Sequence, residues 1–119
     1  MQDENKKHYV DNSKLLSQFV QWKSTNCEIS EIPEYVTYSV MQIAAKLATH
    51  ASFRGYTYNE DMIMDGVETC IRYMHNFDPE KNKNPFSYLT QITYNAFLHR
   101  IAKEKKQHEI QEKLLSRKV

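Results

Sequence analysis

The chain has 119 residues and a formal net charge of +1, and its length suits one domain with its own hydrophobic core. Two glycines and three prolines leave little material for tight hairpins, which disfavours an all-β fold and favours helices. The two cysteines lack a metal-ligand spacing, and no signal peptide is evident, so we expect an intracellular protein with free thiols. We also expect it to be soluble, because no apolar run approaches the ~18 residues that cross a bilayer.

The first half of the chain predicts two helices that follow a polar, flexible arm at residues 1–10. Residues 11–13 offer N-caps for a first helix that ends near Ser24. Residues 25–32 read as a linker, and Pro33 suits the first turn of a second helix. The apolar side chains of the second helix follow the spacing of one buried face: Val36, Val40, Ile43, Ala44, Leu47 and Ala51.

The second half predicts two further helices. Gly55 is suited to a left-handed cap at the end of the second helix, and Thr57 with Glu60 forms a capping box for the third. The expected core stripe of the third helix is Ile63, Val67, Cys70, Met74 and Phe77. A loop at 78–84 precedes a fourth helix, which Pro85 opens and which is long enough to run to the C-terminus. The predicted fold class is therefore all-α, one four-helix domain over residues 1–119.

Gly66 interrupts the middle of the third helix. Glycine there costs about 1 kcal/mol relative to alanine, so its presence predicts a close approach between two helices at this point.

The sequence contains no recognisable catalytic or metal-binding motif. The five histidines show no H-E-x-x-H spacing, and the two glycines stand alone rather than in a phosphate-binding loop. Asp61, Asp65 and Glu68 do place three carboxylates on one helix face. A metal would need further ligands from another helix, and none offers a comparable acidic row, so a solvated or partner-binding face is the better interpretation. We expect no cofactor, no bound metal and no enzymatic activity.

The modest net charge conceals a strong asymmetry along the chain. Residues 26–80 contain nine acidic and three basic side chains, and residues 81–119 contain nine basic and three acidic ones. The two segments therefore carry −6 and +6, which predicts two different partners, one of them acidic. The alternative is that the chain neutralises itself across its own helices.

The outward face of the fourth helix is the most informative pattern. At 100° per residue, one stripe contains Tyr88, Ile92, Asn95, His99, Lys103 and Lys106, while the opposite side contains Phe86, Leu89, Thr93, Phe97 and Ile101 as the expected core. Cations bind phosphates, aromatic rings stack on unpaired bases, and asparagine or histidine bonds base edges. The stripe predicts a nucleic-acid interface, with an ordinary solvated face and one exposed tyrosine as the alternative.

One segment resembles a known family. The run D-M-I-M-D-G-V-E-T-C-I-R-Y-M-H-N-F-D-P-E at 61–80 is similar to the D-L-I-Q-E-G-N-I-G-L-x-x-A-x-x-x-F-D-P-E run of sigma factors, and F-S-Y-L at 86–89 looks like the F-S-T-Y of that family. The similarity covers roughly residues 57–106. Within the family, the chain looks closest to the late-promoter sigma factors of T-even-like bacteriophages.

The resemblance implies a sigma region 2-like domain with two binding surfaces. The third helix would dock on the clamp coiled coil of the largest subunit of bacterial RNA polymerase, through Asp61, Met64, Asp65, Val67 and Ile71. The fourth helix would contact the minus-ten element of promoter DNA, through Tyr88, Ile92, Asn95, Ala96, His99, Arg100 and Lys103. The outward stripe adds Lys106 to the predicted DNA-binding residues. The protein would then act in the cytoplasm of a bacterial host.

The chain departs from the family pattern at several positions. Ile92 and Thr93 stand where the family has tandem tryptophans, and Ala96 and His99 replace the glutamine and threonine used to read duplex DNA. Promoter melting would then rely on Tyr88 or Tyr94. No helix-turn-helix domain or acidic-hydrophobic tail follows, so either this is a piece of a longer protein or those duties lie elsewhere. We expect any co-activator or sliding clamp to act through a segment outside these residues.

The resemblance therefore implies a sigma factor that directs RNA polymerase to AT-rich, minus-ten-like late promoters. The alternative is a helical adaptor, an anti-sigma factor or co-activator, that binds the clamp without reading DNA.

Overall fold

The computed structural model describes residues 9–117, and in that range the chain forms helices joined by short connections, with no strand. The four α-helices are α1 (Asn12–Lys23), α2 (Glu34–Ala48), α3 (Asn59–Tyr73) and α4 (Pro85–Arg117). Single 3₁₀ turns lie at Ile29–Glu31 and Met74–Asn76. The predicted all-α class and the long C-terminal helix are confirmed.

The start of α1 follows from its capping residue. Asp11 Oδ1 accepts hydrogen bonds from the backbone N–H groups of Ser13 and Lys14, at 3.0 and 3.2 Å, which satisfies donors that the first helical turn leaves unpaired. Most of the predicted polar arm, residues 1–8, lies outside the described residues. Val10 at its end is 2% exposed and belongs to the core.

The connection between α2 and α3 differs from the expected one. Because α2 ends at Ala48, Ala51 lies beyond the helix and is exposed, so its predicted burial was wrong. Gly55 does adopt a positive φ of 95°, but in the connecting turn and not as the cap of α2. The side-chain amide of Asn59 donates to the Ala48 carbonyl oxygen at 3.3 Å and ties the two helix ends together.

The predicted capping box of α3 is not formed. The helix begins one residue later than that box requires, with Tyr58 at the N-cap position and no side-chain hydrogen bond to the first turn. Thr57 therefore precedes the cap, too early in the chain to accept from the first-turn N–H groups.

Two hydrophobic clusters form the core. The larger one joins all four helices near the start of α4 and contains Val10, Leu15, Phe19, Trp22, Val36, Val40, Ile43, Cys70, Met74, Phe77 and Leu89. The smaller one lies around the α2–α3 connection and contains Ala48, Phe53, Met62 and Phe97. Edge-on contacts of Phe53 with Phe97, whose ring centroids are 5.1 Å apart, hold the smaller cluster together.

The predicted buried stripe is confirmed at Cys70, Met74 and Phe77, but it differs by one residue in the first half of α3. Met62, Gly66 and Cys70 are buried, whereas Ile63 and Val67 are half-buried. The reason is the crossing with α4: a Cβ atom on Gly66 would lie 3.0 Å from both Phe97 Cε1 and Thr93 Cγ2. The helix turns its smallest residue to this crossing, which confirms the close approach predicted from Gly66.

The buried face of α4 matches the prediction at its centre. Leu89, Thr93 and Phe97 are fully buried, while Phe86 and Ile101 at the two ends are half-buried. Every described residue of α4 after Glu104 is exposed. With 33 residues at about 1.5 Å each, the helix extends well past the body of the fold.

Candidate functional site

Residues from both predicted surfaces line one groove between α3 and α4. The groove is open to solvent and has a volume of about 500 Å³. Its lining residues come from the last three turns of α3 and the middle of α4: Asp65, Glu68, Thr69, Arg72, Tyr73, Ile92, Asn95, Ala96, His99, Arg100 and Lys103. Seven of the predicted site residues therefore meet in it, one from α3 and six from α4.

The α3 side of the site presents an acidic and apolar face. Asp61 is exposed, and Met64 is 65% exposed. Val67 and Ile71 are half-buried and pack against the larger core cluster, so less of their surface is available to a partner. Asp65 is also half-buried, with 30% of its side chain exposed.

An ion pair connects the two helices at the groove. Arg100 Nε donates to Asp65 Oδ2 at 2.6 Å, and an Nη of the same guanidinium donates to Asp65 Oδ1 at 3.1 Å. The other Nη donates to Glu104 at 3.0 Å. This fork geometry is the strongest form of a carboxylate–arginine contact. Hydrogen bonds to Asp65 and then to Glu104 are the main causes that raise the pKa of Arg100, which stays charged throughout the accessible pH range.

The α4 side of the site is polar and basic where the sequence predicts it. Asn95, His99, Lys103 and Lys106 are exposed. Gln91 donates its side-chain amide to Asn95 Oδ1 at 3.1 Å, which leaves the Asn95 amide nitrogen directed away from that bond. Ile92 and Ala96 are half-buried and form the apolar floor of the groove.

Tyr88 is more constrained than a free stacking residue. It is half-buried, its ring centroid lies 5.0 Å from that of Phe77, and its hydroxyl donates to the Tyr73 carbonyl oxygen at 3.2 Å. Burial raises the pKa of its hydroxyl. The side chain therefore anchors the start of α4 to the end of α3 and exposes only part of its ring.

Two further aromatic residues lie beside the proposed surfaces, Tyr73, which the sequence did not single out, and Tyr94, which it named for melting. Tyr73 is 45% exposed at the end of the groove, and Tyr94 is 41% exposed while it packs against Phe53, with centroids 5.5 Å apart. Tyr94 had been named only as a substitute for Tyr88.

The thiol of Cys70 on α3 is buried against α4. Its sulfur lies 3.2 Å from Thr93 Oγ1 and 3.5 Å from the Leu89 carbonyl oxygen. Burial raises the pKa of this thiol to about 11, against a smaller lowering by the Thr93 hydrogen bond, so the group is protonated at neutral pH.

Within residues 9–117, no group of three or more histidine, cysteine, aspartate or glutamate side chains is arranged to hold a metal ion. In the same part of the chain, no helix combines the length and the apolar character that a bilayer crossing requires.

Comparisons with known proteins leave the resemblance to sigma factors as a resemblance of motifs alone. No protein-family model matches the chain, and no curated protein matches its sequence.

Proposed function

We propose that this chain is a sigma-like specificity subunit that binds bacterial RNA polymerase core and directs initiation at AT-rich, minus-ten-like late promoters. The observation that carries the proposal is the arrangement of α3 and α4. Asp65 and Glu68 of α3 line one side of a groove whose other side is the polar, basic face of α4, and the exposed Asp61 and Met64 precede Asp65 on α3. One rigid pair of helices therefore offers a surface for a basic protein partner beside a surface for nucleic acid.

The polymerase contact is assigned to the exposed part of α3. Asp61 and Met64 are the most accessible of the five residues that the resemblance assigns to this contact, and they lie one helical turn apart. An exposed carboxylate next to an exposed apolar side chain suits a partner surface that carries arginine or lysine beside an apolar patch. Val67 and Ile71 support this face from within and contribute less contact area of their own.

The promoter contact is assigned to the exposed side chains of α4. Lys103 and Lys106 supply phosphate affinity, and Asn95 and His99 carry hydrogen-bonding groups suited to base edges. Tyr88, with Tyr73 beside it, provides aromatic surface at the loop end of the same helix. This order along the helix suits a protein that holds duplex DNA with one end and an opened strand with the other.

One observation favours the alternative of an adaptor that binds the clamp without reading DNA. Tyr88 and Arg100, two of the residues assigned to DNA, are engaged in contacts within the chain. An adaptor would keep its affinity for polymerase when Lys103 and Lys106 are both replaced by alanine, and it would show no dependence on promoter sequence.

The experiment that tests the polymerase contact is co-purification with core polymerase. Asp61→Lys should weaken co-purification, because it places a like charge against a basic partner. It should leave folding nearly unchanged, since exposed substitutions usually alter stability by within about 0.5 kcal/mol. Glu109→Lys is the matched control, because it reverses an equally exposed acid on the distal part of α4. If both variants co-purify with core polymerase as strongly as the wild-type protein does, the assignment of the polymerase contact to α3 is wrong.

A further inference from the structure

We propose that the ion pair between Asp65 and Arg100 is a latch that withholds Arg100 from DNA until a cationic side chain of the protein partner engages Asp65. The inference rests on the proposed function, because it takes one residue from the polymerase surface and one from the DNA surface. It adds a coupling between the two surfaces that neither surface alone implies.

The geometry of the pair leaves Arg100 little capacity for phosphate. Asp65 occupies the guanidinium edge formed by Nε and one Nη, and Glu104 binds the other Nη. A phosphate needs the same fork to form a bidentate contact, so it must displace a carboxylate. Only 18% of the Arg100 side chain is exposed, which limits approach from the open side.

The local charge also opposes phosphate. One guanidinium faces two carboxylates, and Asp61 is close enough to add to the electrostatic stabilisation of the Arg100 charge. The closed latch therefore presents a net negative charge within an otherwise basic stretch of α4. When a partner engages Asp65 and opens the latch, Arg100 keeps only its ion pair with Glu104.

The position of Arg100 means that its release would add a cation to the surface assigned to DNA. It lies between His99 and Lys103, which are exposed on the same side of α4 and line the same groove. Once freed, its guanidinium joins the surface to which we assign phosphate and base contacts. The neighbourhood of Asp65 defines the chemistry of the opener: next to the exposed Asp61 and Met64, it suits a lysine or arginine of the protein that docks on α3.

Linkage makes the latch reciprocal. A partner that draws Asp65 away raises the affinity for DNA, and DNA that draws Arg100 away raises the affinity for the partner by the same factor. The arrangement explains how a chain with a net charge of only +1 can bind promoter DNA weakly alone and more tightly in a complex.

The test measures binding of the free protein to a labelled duplex with a pre-opened AT-rich bubble, over a salt series. Asp65→Asn opens the latch, and Asp61→Asn removes the same charge from the same face without removing a hydrogen bond found among the described residues. We expect Asp65→Asn to bind about fivefold or more tightly than Asp61→Asn, the lower end of typical couplings between sites. Its plot of log affinity against log salt should be steeper by about one unit, because one more phosphate is contacted.

Two further variants confirm the cause of the gain. Asp65→Glu keeps the carboxylate and should bind DNA as the wild-type protein does. The double variant Asp65→Asn with Arg100→Gln should fall back to the affinity of Asp61→Asn. If Asp65→Asn does not fold, Glu104→Gln provides the same test with a smaller gain, with Glu109→Gln as its control.

Equal affinities of Asp65→Asn and Asp61→Asn would overturn the latch, and so would a gain that persists without Arg100. Co-purification of the wild-type protein with core polymerase, run in parallel, separates the two proposals. A gain in Asp65→Asn without binding to core polymerase would keep the latch and remove the polymerase assignment. Binding to core polymerase without that gain would remove the latch alone.

Discussion

A Cβ atom placed on Gly66 of α3 would lie 3.0 Å from Cε1 of Phe97 on α4, closer than side chains normally pack. The two helices that border the candidate site thus approach each other through a glycine. Phe97 is held by its contact with Phe53, and Thr93 on the other side of Gly66 bonds the Leu89 carbonyl oxygen at 2.8 Å. Because Thr93 and Phe97 are both fully buried, we expect the spacing of the groove to depend on Gly66.

Gly66→Ala should therefore destabilise the protein in spite of the better helix propensity of alanine. Overpacking in a tight core costs about 1–3 kcal/mol, and the propensity gain offsets about 1 kcal/mol of it. We expect the free energy of unfolding, measured by urea denaturation, to fall by roughly 1 kcal/mol, and to fall further for Gly66→Val.

Thr93→Ser provides the matched control for Gly66→Ala, because it removes the Cγ2 methyl group that the new Cβ would meet. The double variant should lose less stability than the sum of the two single losses. A Gly66→Ala protein more stable than wild type would show that the helices can move apart at no cost, and would contradict the packing account.

Stability should fall at alkaline pH because of Cys70. Its thiol has a pKa of about 11 in the folded state, above its ordinary value of 9.0. A raised pKa means that the folded state favours the protonated form, so the contribution to stability is complete below pH 9 and is lost as the pH rises to about 11. The loss should reach about 2–3 kcal/mol.

The measurement for Cys70 is the free energy of unfolding of wild type and Cys70→Ala between pH 8 and about 11. Cys70→Ala should be less stable at pH 8, because it leaves a cavity, but its stability should decline less steeply as the pH rises. Parallel declines in the two proteins would show that other groups cause the alkaline loss.

Tyr88 should contribute to promoter opening through its ring rather than through its hydroxyl. Stacking of a base on an aromatic ring is worth about 1–3 kcal/mol, so Tyr88→Ala should impair opening by reconstituted polymerase. A pre-opened bubble template should restore part of the activity, because it removes the cost of unpairing. Tyr88→Phe is the control: it loses only the hydrogen bond to the Tyr73 carbonyl oxygen and should open promoters as wild type does.

Because Tyr88 also packs on Phe77, the stability of each Tyr88 variant must be measured alongside its activity. If Tyr88→Ala loses the same fraction of activity on duplex and bubble templates, Tyr88 acts through the fold. The exposed Tyr94 would then be the next residue to test for melting.

The all-α fold was predictable because its signals are local. The Asp11 cap, the near absence of glycine and the helical spacing on α2 and α4 each depend on residues a few positions apart. The capping box at Thr57 and Glu60 was wrong although its signal is also local. The side chain of Asn59 bonds the end of α2, and α3 begins at Asn59, one residue later than the predicted capping box requires.

The burial of Met62 and Gly66 in the first half of α3 and the constraint on Arg100 could not be predicted from local spacing. Ile63 and Val67 are more hydrophobic than Gly66, but burial was decided by how closely α4 approaches, and only the glycine fits there. Asp65 and Arg100 are 35 positions apart in the chain, so their pairing depends on how α3 and α4 pack. The sequence of each helix, taken alone, placed Asp65 and Arg100 on binding surfaces but could not show that they bind each other.

The proposed sigma function is tested by transcription by core polymerase on a duplex that carries a TATA-like minus-ten element, with and without this protein. The account predicts transcripts with one defined start site that require both the protein and the element, and that disappear when the element is scrambled. Transcription that the protein leaves unchanged, while it still co-purifies with core polymerase, would contradict the account and identify an adaptor instead.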